Sequence, residues 1–329
     1  MDIKNFEKQI FRIHNDKEFE SLAFELFDYQ YHNLDIYNRY CNLLNVNPDK
    51  VKSLYDIPFL PVDFFRTHRV AIESTPAKLI FSSSGTTGSQ TSHHEVPYPG
   101  LYEESFTNGF EHFYGPADDY CILALLPSYL ERSGSSLIYM AEHLIKDSKH
   151  PDSGFYLHNF EDLSFKLTLL KRMEQKTILL GVTYALLDLA EAFPVDFPDL
   201  IIMETGGMKG KRREMVREEV HHILKEAFGC PNIHSEYGMT ELLSQAYSKG
   251  NGLYECPAWM KVMIRDMDDP FAWANIGLSG GINVIDLANI YSCSFIAIED
   301  IGRMHENGDF EVLGRFDKSQ IRGCNLLVY

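Results

Sequence analysis

Between about residue 78 and residue 240 the chain alternates short apolar runs with stretches of helical periodicity. That alternation restricts the folds open to it. Segments 78–82 (KLIFS), 120–126 (YCILALL), 177–182 (TILLGV), 200–203 (LIIM) and 232–235 read as strands. Helical patterns fall between them, at 137–145, 184–192 and the charged run 211–228. The charged run has an apolar face of Met215, Val216, Val220, Ile223 and Leu224. It stops at Gly229, a residue suited to a left-handed helix cap. A further helix is expected from about Thr240. Strands that feed helices build a largely parallel sheet covered by helices, an α/β fold.

The two ends differ from this middle. Phe19, Leu22, Ala23, Leu26 and Phe27 recur at helical spacing, and Leu34, Tyr37, Cys41 and Leu44 continue the stripe. Pro48 ends it. Segment 58–65 (PFLPVDFF) is apolar but proline-broken, and is expected as a buried loop or short helix. Beyond residue 250, strands are expected at 282–286, 294–298 and 310–313, the last one after the turn dipeptide Asn307-Gly308. They predict a small antiparallel, barrel-like subdomain. The expected division is a main α/β body over 1–250, helical in its first 60 residues, and a β-rich part over 251–329.

Charge excludes one class of function. There are 30 Lys+Arg against 47 Asp+Glu, a net −17, whereas a nucleic-acid protein held by phosphate contacts needs a basic face. A small anionic ligand stays possible, because backbone N–H groups and a divalent cation hold phosphate locally. The six cysteines, Cys41, Cys121, Cys230, Cys256, Cys293 and Cys324, include no CxxC pair. Neither zinc nor a redox pair is signalled, and a reducing cytoplasm is the expected compartment. The first sixteen residues scatter charge and lack the apolar stretch of a signal peptide. No apolar run reaches the ~18 residues of a membrane span.

Four short stretches carry chemistry. FSSSGTTG, residues 81–88, follows a strand and offers Ser83, Ser84, Gly85, Thr86, Thr87 and Gly88. Glycines let the backbone close on an anion, and small hydroxyls add donors. It is not a Walker A loop, since no Gly-Lys-Ser/Thr ends it. The bland alternative is an exposed polar loop. SEYGMTE, residues 235–241, places Tyr237 and Gly238 at a strand end, with Thr240 and Glu241 opening the next helix. A ring there can stack on a base, a helix-opening Thr can donate to phosphate, and a Glu can hold Mg2+. The alternative is a helix cap. ETGG puts Gly206 and Gly207 after a strand, exposing backbone to a planar ligand, or forming a plain turn. Asp300 with Arg315 suits ribose and phosphate oxygens, or makes a surface ion pair.

In this order the four stretches resemble the adenylate-forming superfamily of acyl- and aryl-CoA ligases. SSSGTTG matches its phosphate loop, YGMTE its tyrosine–threonine–glutamate motif, and Asp300 with GRFDKSQIRG its ribose and hinge segment. From about Leu60 onward the chain is most similar to the acyl-protein synthetase (LuxE-type) family. LPVDFFR, LLPSYLERSGSSL, METGGMKG and the ending GRFDKSQIRGCNLLVY carry that similarity. The resemblance implies an α/β adenylate-forming fold that activates a carboxylic acid, a fatty acid in this family, as acyl-AMP from ATP and Mg2+. Tyr237, Gly206 and Gly207 would hold adenine, Asp300 and Arg315 ribose or phosphate, and Glu241 the metal.

Two departures shape the expectation. Gln90 and Thr91 stand where most relatives have a Pro-Lys pair, so the loop supplies no lysine. The sequence stops at the hinge motif, where ligases continue into a lid domain, and that lid is expected to be absent. In acyl-protein synthetases the acyl group passes to a cysteine near the C-terminus and then to a reductase partner; Cys324, in RGCNL beside Arg322, matches it. A thiolate attack on acyl-AMP is sound chemistry, although a free cysteine is often a small buried hydrophobe. The alternatives are an acyl-CoA ligase related to the phenylacetate type and a nucleotide-binding assembly protein without turnover. The adjacent pairs His93-His94 and His221-His222 lack the spacing that puts two metal ligands on one helix face. The cluster Lys209, Lys211, Arg212 and Arg213 reads as a solvated helix start or as a screen for phosphates.

Overall fold

The computed structural model describes residues 1–73, 75–83, 91–127, 134–208, 211–213 and 215–316. Three helices open the chain, Ile3–Ile10, Asp16–Asn33 and Asp35–Leu43. The second starts at a reciprocal cap: Asn15 Oδ1 accepts from Glu18 N, and Glu18 accepts from His14 N. Leu34 interrupts the apolar stripe with extended backbone (φ −110°, ψ 96°). Segment 58–65 then yields a two-residue strand β1 (Leu60–Pro61) and the start of a short helix, Phe64–Thr67.

The remaining strands are β2 (Leu79–Ser82), β3 (His93–Val96), β4 (Cys121–Leu125), β5 (Gly154–Tyr156), β6 (Thr177–Val182), β7 (Ile201–Thr205), β8 (Ile233–Tyr237), β9 (Ala246–Ser248), β10 (Leu253–Tyr254), β11 (Met260–Arg265), β12 (Ser279–Asp286), β13 (Phe295–Met304) and β14 (Phe310–Arg315). One sheet has the order β5-β4-β6-β7-β8-β9, parallel through β8, with β9 antiparallel at its edge. Strands β4 and β6 are buried along their whole length. This is why they read as unbroken apolar runs rather than as alternating ones. Helices Ser136–Ser148, Phe160–Arg172, Thr183–Ala192 and Arg217–Phe228 connect successive strands.

A second sheet runs β10-β14-β13-β12-β11, antiparallel, with β1 added in parallel beside β13. Its path has two ends, so among the described residues it is an open sheet where the sequence suggested a barrel. The N-terminal helices cover it: the Tyr37 ring stacks on Phe295 at 6.0 Å, and Phe27 meets the same ring edge-on at 6.0 Å. Gln30, fully buried, donates to the carbonyls of Asn289 and Ile290 and accepts from Ser294 N. Strands β2 and β3 form a separate antiparallel pair.

Two helix expectations need correction. The charged helix begins at Arg217, not at residue 211, and Val216 is exposed. Arg212 forks onto Asp188 and Glu191 of the preceding helix at 2.5–2.8 Å, which holds the segment ahead of Arg217 as a strap. No helix starts at Thr240; residues 240–241 form a turn. The sequence reading also passed over helices Pro99–Tyr114 and Phe160–Arg172 and strands β3, β5, β9, β10 and β11.

Candidate functional site

The carboxyl ends of β6, β7 and β8 form one rim of the parallel sheet, where open α/β sheets place their ligands. Gly206 follows β7 at φ 78°, the left-handed region that favours glycine. A Cβ built on Gly207 would meet no atom within 4 Å, so the backbone faces open space there. At the end of β8 a Cβ on Gly238 would sit 2.5 Å from Glu236 Oε1 and 3.2 Å from Gln245 Cγ. A larger residue at 238 would have to displace the end of the Glu236 side chain.

Tyr237, Asp300 and Arg315 come together across the two sheets. The Tyr237 hydroxyl donates to Asp300 Oδ2 at 2.7 Å, and Arg315 Nε donates to Oδ1 at 2.8 Å. Asp300 and Arg315 are cross-strand partners on β13 and β14. The Tyr237 ring packs edge-on against Tyr254 and Phe310, each at 5.7 Å. Burial, and then the Asp300 charge, push the Tyr237 phenol well above its ordinary pKa. Asp300 likewise raises Arg315. Each Asp300 oxygen keeps a second lone pair for a ligand hydroxyl.

The Thr240–Glu241 turn is held by buried groups remote in sequence. Asp286 accepts from Leu243 N at 2.7 Å, Ser244 N at 3.1 Å and the Ser244 hydroxyl at 2.5 Å. Asn289 Nδ2 donates to the Glu241 carbonyl at 2.8 Å and the Cys293 carbonyl at 3.0 Å. His94 Nδ1 lies 2.8 Å from the Thr240 carbonyl, and its Nε2 lies 3.0 Å from Asn289 Oδ1. These contacts take the backbone donors and acceptors that a helix would need, which is why none forms. Thr240 is therefore a turn residue rather than a helix opener, and the appeal to a helix dipole falls away. Glu241 is buried; desolvation raises its pKa, while the Ser92 hydroxyl and the Arg66 and Arg315 charges act the other way.

Of the loop expected to hold phosphate, Ser83 is described, while Ser84, Gly85, Thr86, Thr87 and Gly88 lie outside the described residues, as does Cys324. The loop's ends are pinned together. Ser83 N donates to the Ser92 carbonyl at 3.1 Å, and Ser92 N to Ser83 Oγ at 2.9 Å. Because His94 is on β3, the strand leaving the loop is tied to the Thr240 turn. Of the basic cluster, Arg212 and Arg213 are engaged by carboxylates, Arg213 on Glu219 at 2.8 Å. Arg212 is half-buried in that pairing, whereas Arg213 stays 77% exposed. Lys209 lies outside the described residues.

Sequence reasoning missed His94, Asp286, Asn289 and a pair of buried carboxyls. Glu204 accepts from Thr183 at 2.8 Å and Ser235 at 3.0 Å, with His221 at 3.6 Å. Burial pushes its pKa up, but His221 and the two hydroxyls outweigh that and lower it. Glu236 accepts from Thr205 at 2.5 Å, and burial raises its pKa to about 7. The signal available was a glutamate near the end of each of two neighbouring strand segments, LIIMET and NIHSEY.

Among the described residues no group of three His, Cys, Asp or Glu forms a ready metal cage. Mg2+ sites that take most of their ligands from water and phosphate need only one or two protein carboxylates, and Glu241 is a carboxylate of that kind, 4% exposed. No described helix is long and apolar enough to cross a membrane.

No protein-family model matches the chain, and no curated protein matches it. Solved structures do. An open form of 2-hydroxyisobutyryl-CoA ligase, in complex with 2-HIB-AMP and CoA, aligns with a TM-score of 0.69 at 13% identity, over 93% of this chain and 72% of that one. The same ligase in its thioesterification state gives 0.68 at 14% identity, over 93% and 70%. ATP-bound MatB from Rhodopseudomonas palustris gives 0.55 at 16% identity, over 72% of this chain and 47% of that one. The chain thus spans about half the length of MatB. The fold is a mixed α/β fold similar to that of these enzymes.

Proposed function

We propose that the protein activates a carboxylic acid as an acyl adenylate, consuming ATP and releasing pyrophosphate. The observation that carries this reading is the rim itself. Tyr237, Asp300 and Arg315 converge beside the Gly206-Gly207 backbone, and His94 ties the strand after the phosphate loop to the Thr240–Glu241 turn. The similarity in fold to ligases solved with ATP or an acyl-AMP supports it.

In this reading a substrate carboxylate oxygen bonds to the α-phosphorus of ATP, and the bond from that phosphorus to the bridging oxygen of pyrophosphate breaks. Tyr237 and the Gly206-Gly207 backbone hold adenine, with Asp300 on the ribose and Arg315 on ribose or phosphate. Thr86, Thr87 and Thr240 donate to phosphate oxygens. Glu241 holds Mg2+, which when bound neutralises phosphate charge. Fixed donors aimed at developing charge supply most of the rate enhancement. Residues 1–250 and 251–329 work as one unit, since Tyr237 comes from the first and Asp300 from the second.

The acyl-protein synthetase resemblance extends the reading to a fatty acid and a thiol acceptor. The Cys324 thiolate would attack the acyl carbonyl and expel AMP, and a reductase-like protein would take the acyl group on. CoA as acceptor is the second reading, favoured by the similarity to a ligase solved with CoA. The test is a panel of acids scored by ATP–pyrophosphate exchange, followed by intact-mass spectrometry of wild type and Cys324→Ser. Acid-dependent exchange with a hydroxylamine-labile acyl adduct on wild type alone supports transfer to Cys324. Thioester on CoA with the variant unimpaired selects CoA. Nucleotide binding without exchange for any acid overturns adenylation in favour of a binding role.

A further inference from the structure

Side chains alternate across a strand, so Glu236 points away from the Tyr237 corner. It is buried on the opposite face of β8, directly across from Tyr247 on β9. One carboxyl oxygen accepts from Thr205 at 2.5 Å. The other, Oε1, reaches back toward the rim and lies 2.5 Å from where a Cβ on Gly238 would sit. Among the described residues no lysine, arginine or histidine pairs with this carboxyl, and the charge that acts on it is a second carboxylate, Glu204. The Tyr247 hydroxyl opposite is itself buried and has no hydrogen-bond partner among the described residues. A buried carboxyl without a counter-charge beside an unpaired buried hydroxyl is costly. Through Thr205, Glu236 sits just inside the rim that carries Gly206 and Gly207, and Tyr247 lies across from it.

Resting on the adenylation reading, we propose that Glu236 and Tyr247 recognise a hydrogen-bond-donating substituent, a hydroxyl or an amino group, on the acid that is activated. The substrate class is then a polar-substituted carboxylic acid rather than a plain hydrocarbon chain. A hydroxyl would donate to Glu236 Oε1 and accept from Tyr247; an ammonium would donate to both. Either group supplies what the protein leaves unpaired.

The experiment uses matched acids of equal chain length, unsubstituted, hydroxylated and aminated, with wild type, Glu236→Gln and Tyr247→Phe. ATP–pyrophosphate exchange and ligand-induced melting shifts are both read. Glu236→Gln keeps the side-chain shape and an acceptor for Thr205 but turns an N–H toward the ligand. Expected for wild type is a kcat/KM at least ~10²-fold higher for donor-bearing acids, as for sites built around a substrate hydroxyl. Glu236→Gln should bring the matched acids to parity, and Tyr247→Phe should weaken the preference. Equal exchange with unsubstituted acids, indifferent to Glu236→Gln, overturns the inference and leaves adenylation standing. No exchange with any acid, but melting shifts for donor-bearing acids in wild type alone, overturns adenylation and keeps the recognition. Neither exchange nor shift overturns both. Should Glu236→Gln fail to fold, Tyr247→Phe with the same acids carries the test.

Discussion

The Tyr237 corner and the Thr240–Glu241 turn lie three residues apart, yet they are held in different ways. At the corner, side chains bond to side chains across two sheets, and the outermost partner, Arg315, is exposed. At the turn, buried side chains from β3, from the end of β12 and from the loop after it seize the backbone. The corner can exchange its internal bonds for bonds to a ligand at little cost. The turn cannot move without stranding buried donors and acceptors. Fixed donors belong where charge develops, and exchangeable ones where a ligand is merely held.

The sharpest way to break the contrast is Asp286→Ala. It strands two N–H groups of the turn, the Ala288 N–H and the Ser244 hydroxyl. The expected loss is about 4 kcal/mol of unfolding free energy, measured by urea titration. A loss below about 1 kcal/mol would mean that the turn is held otherwise. Next comes Glu241→Ala, expected to cut acid-dependent pyrophosphate exchange by ~10²–10³ while the protein stays folded. Near-normal exchange would sink the metal assignment.

A third test uses pH. His94 is buried and faces two acceptor oxygens, since both Asn289 amide hydrogens are already committed. Burial lowers its pKa to about 4 from an ordinary value of 6.5, outweighing the Thr240 and Asn289 oxygens, which favour the charged ring. Below 6.5 the unfolded chain binds the proton that the folded protein refuses, so stability falls as pH drops from 6.5 toward 4. The full effect is roughly 3 kcal/mol. Denaturant midpoints across that range should decline less in His94→Gln than in wild type; parallel curves would remove His94 as the cause. His234, lowered to about 4 by burial and by Lys249, contributes a separate decline that persists in the variant.

The smallest expected effect is at the corner. Tyr237→Ala should weaken ATP by ~1–3 kcal/mol if the ring stacks on adenine. Tyr237→Phe, which loses only the Asp300 bond, should cost about 1 kcal/mol. Equal ATP affinity by calorimetry for wild type and Tyr237→Ala would place adenine elsewhere.

What was legible in the sequence follows the range of the interactions. The run TILLGV became a strand over the very residues expected, because burial on both faces leaves a local apolar signature. Asn307-Gly308 marked a true hairpin, with Gly308 at φ 92°. Tyr237, Asp300 and Arg315 were each identified, but their mutual bonds were not, since 63 positions separate Tyr237 from Asp300. The helix expected at Thr240 failed for a reason no local rule contains, because Asp286 and Asn289 capture its backbone from 42 to 48 positions away. His94 looked like half of a poor metal pair, and its partner, the Thr240 carbonyl, lies 146 positions on.

The sequence by itself determined the alternation that makes a parallel sheet, the glycines of the rim and which polar side chains stand near it in the chain. All of these depend on local periodicity or on single-residue stereochemistry. Tertiary structure alone decided which of those groups meet, that Glu241 sits on a clamped turn, and that Glu236 is buried without a counter-charge among the described residues. A side chain's burial and partners depend on chain segments that only folding brings within a few ångströms, and desolvation then sets its charge.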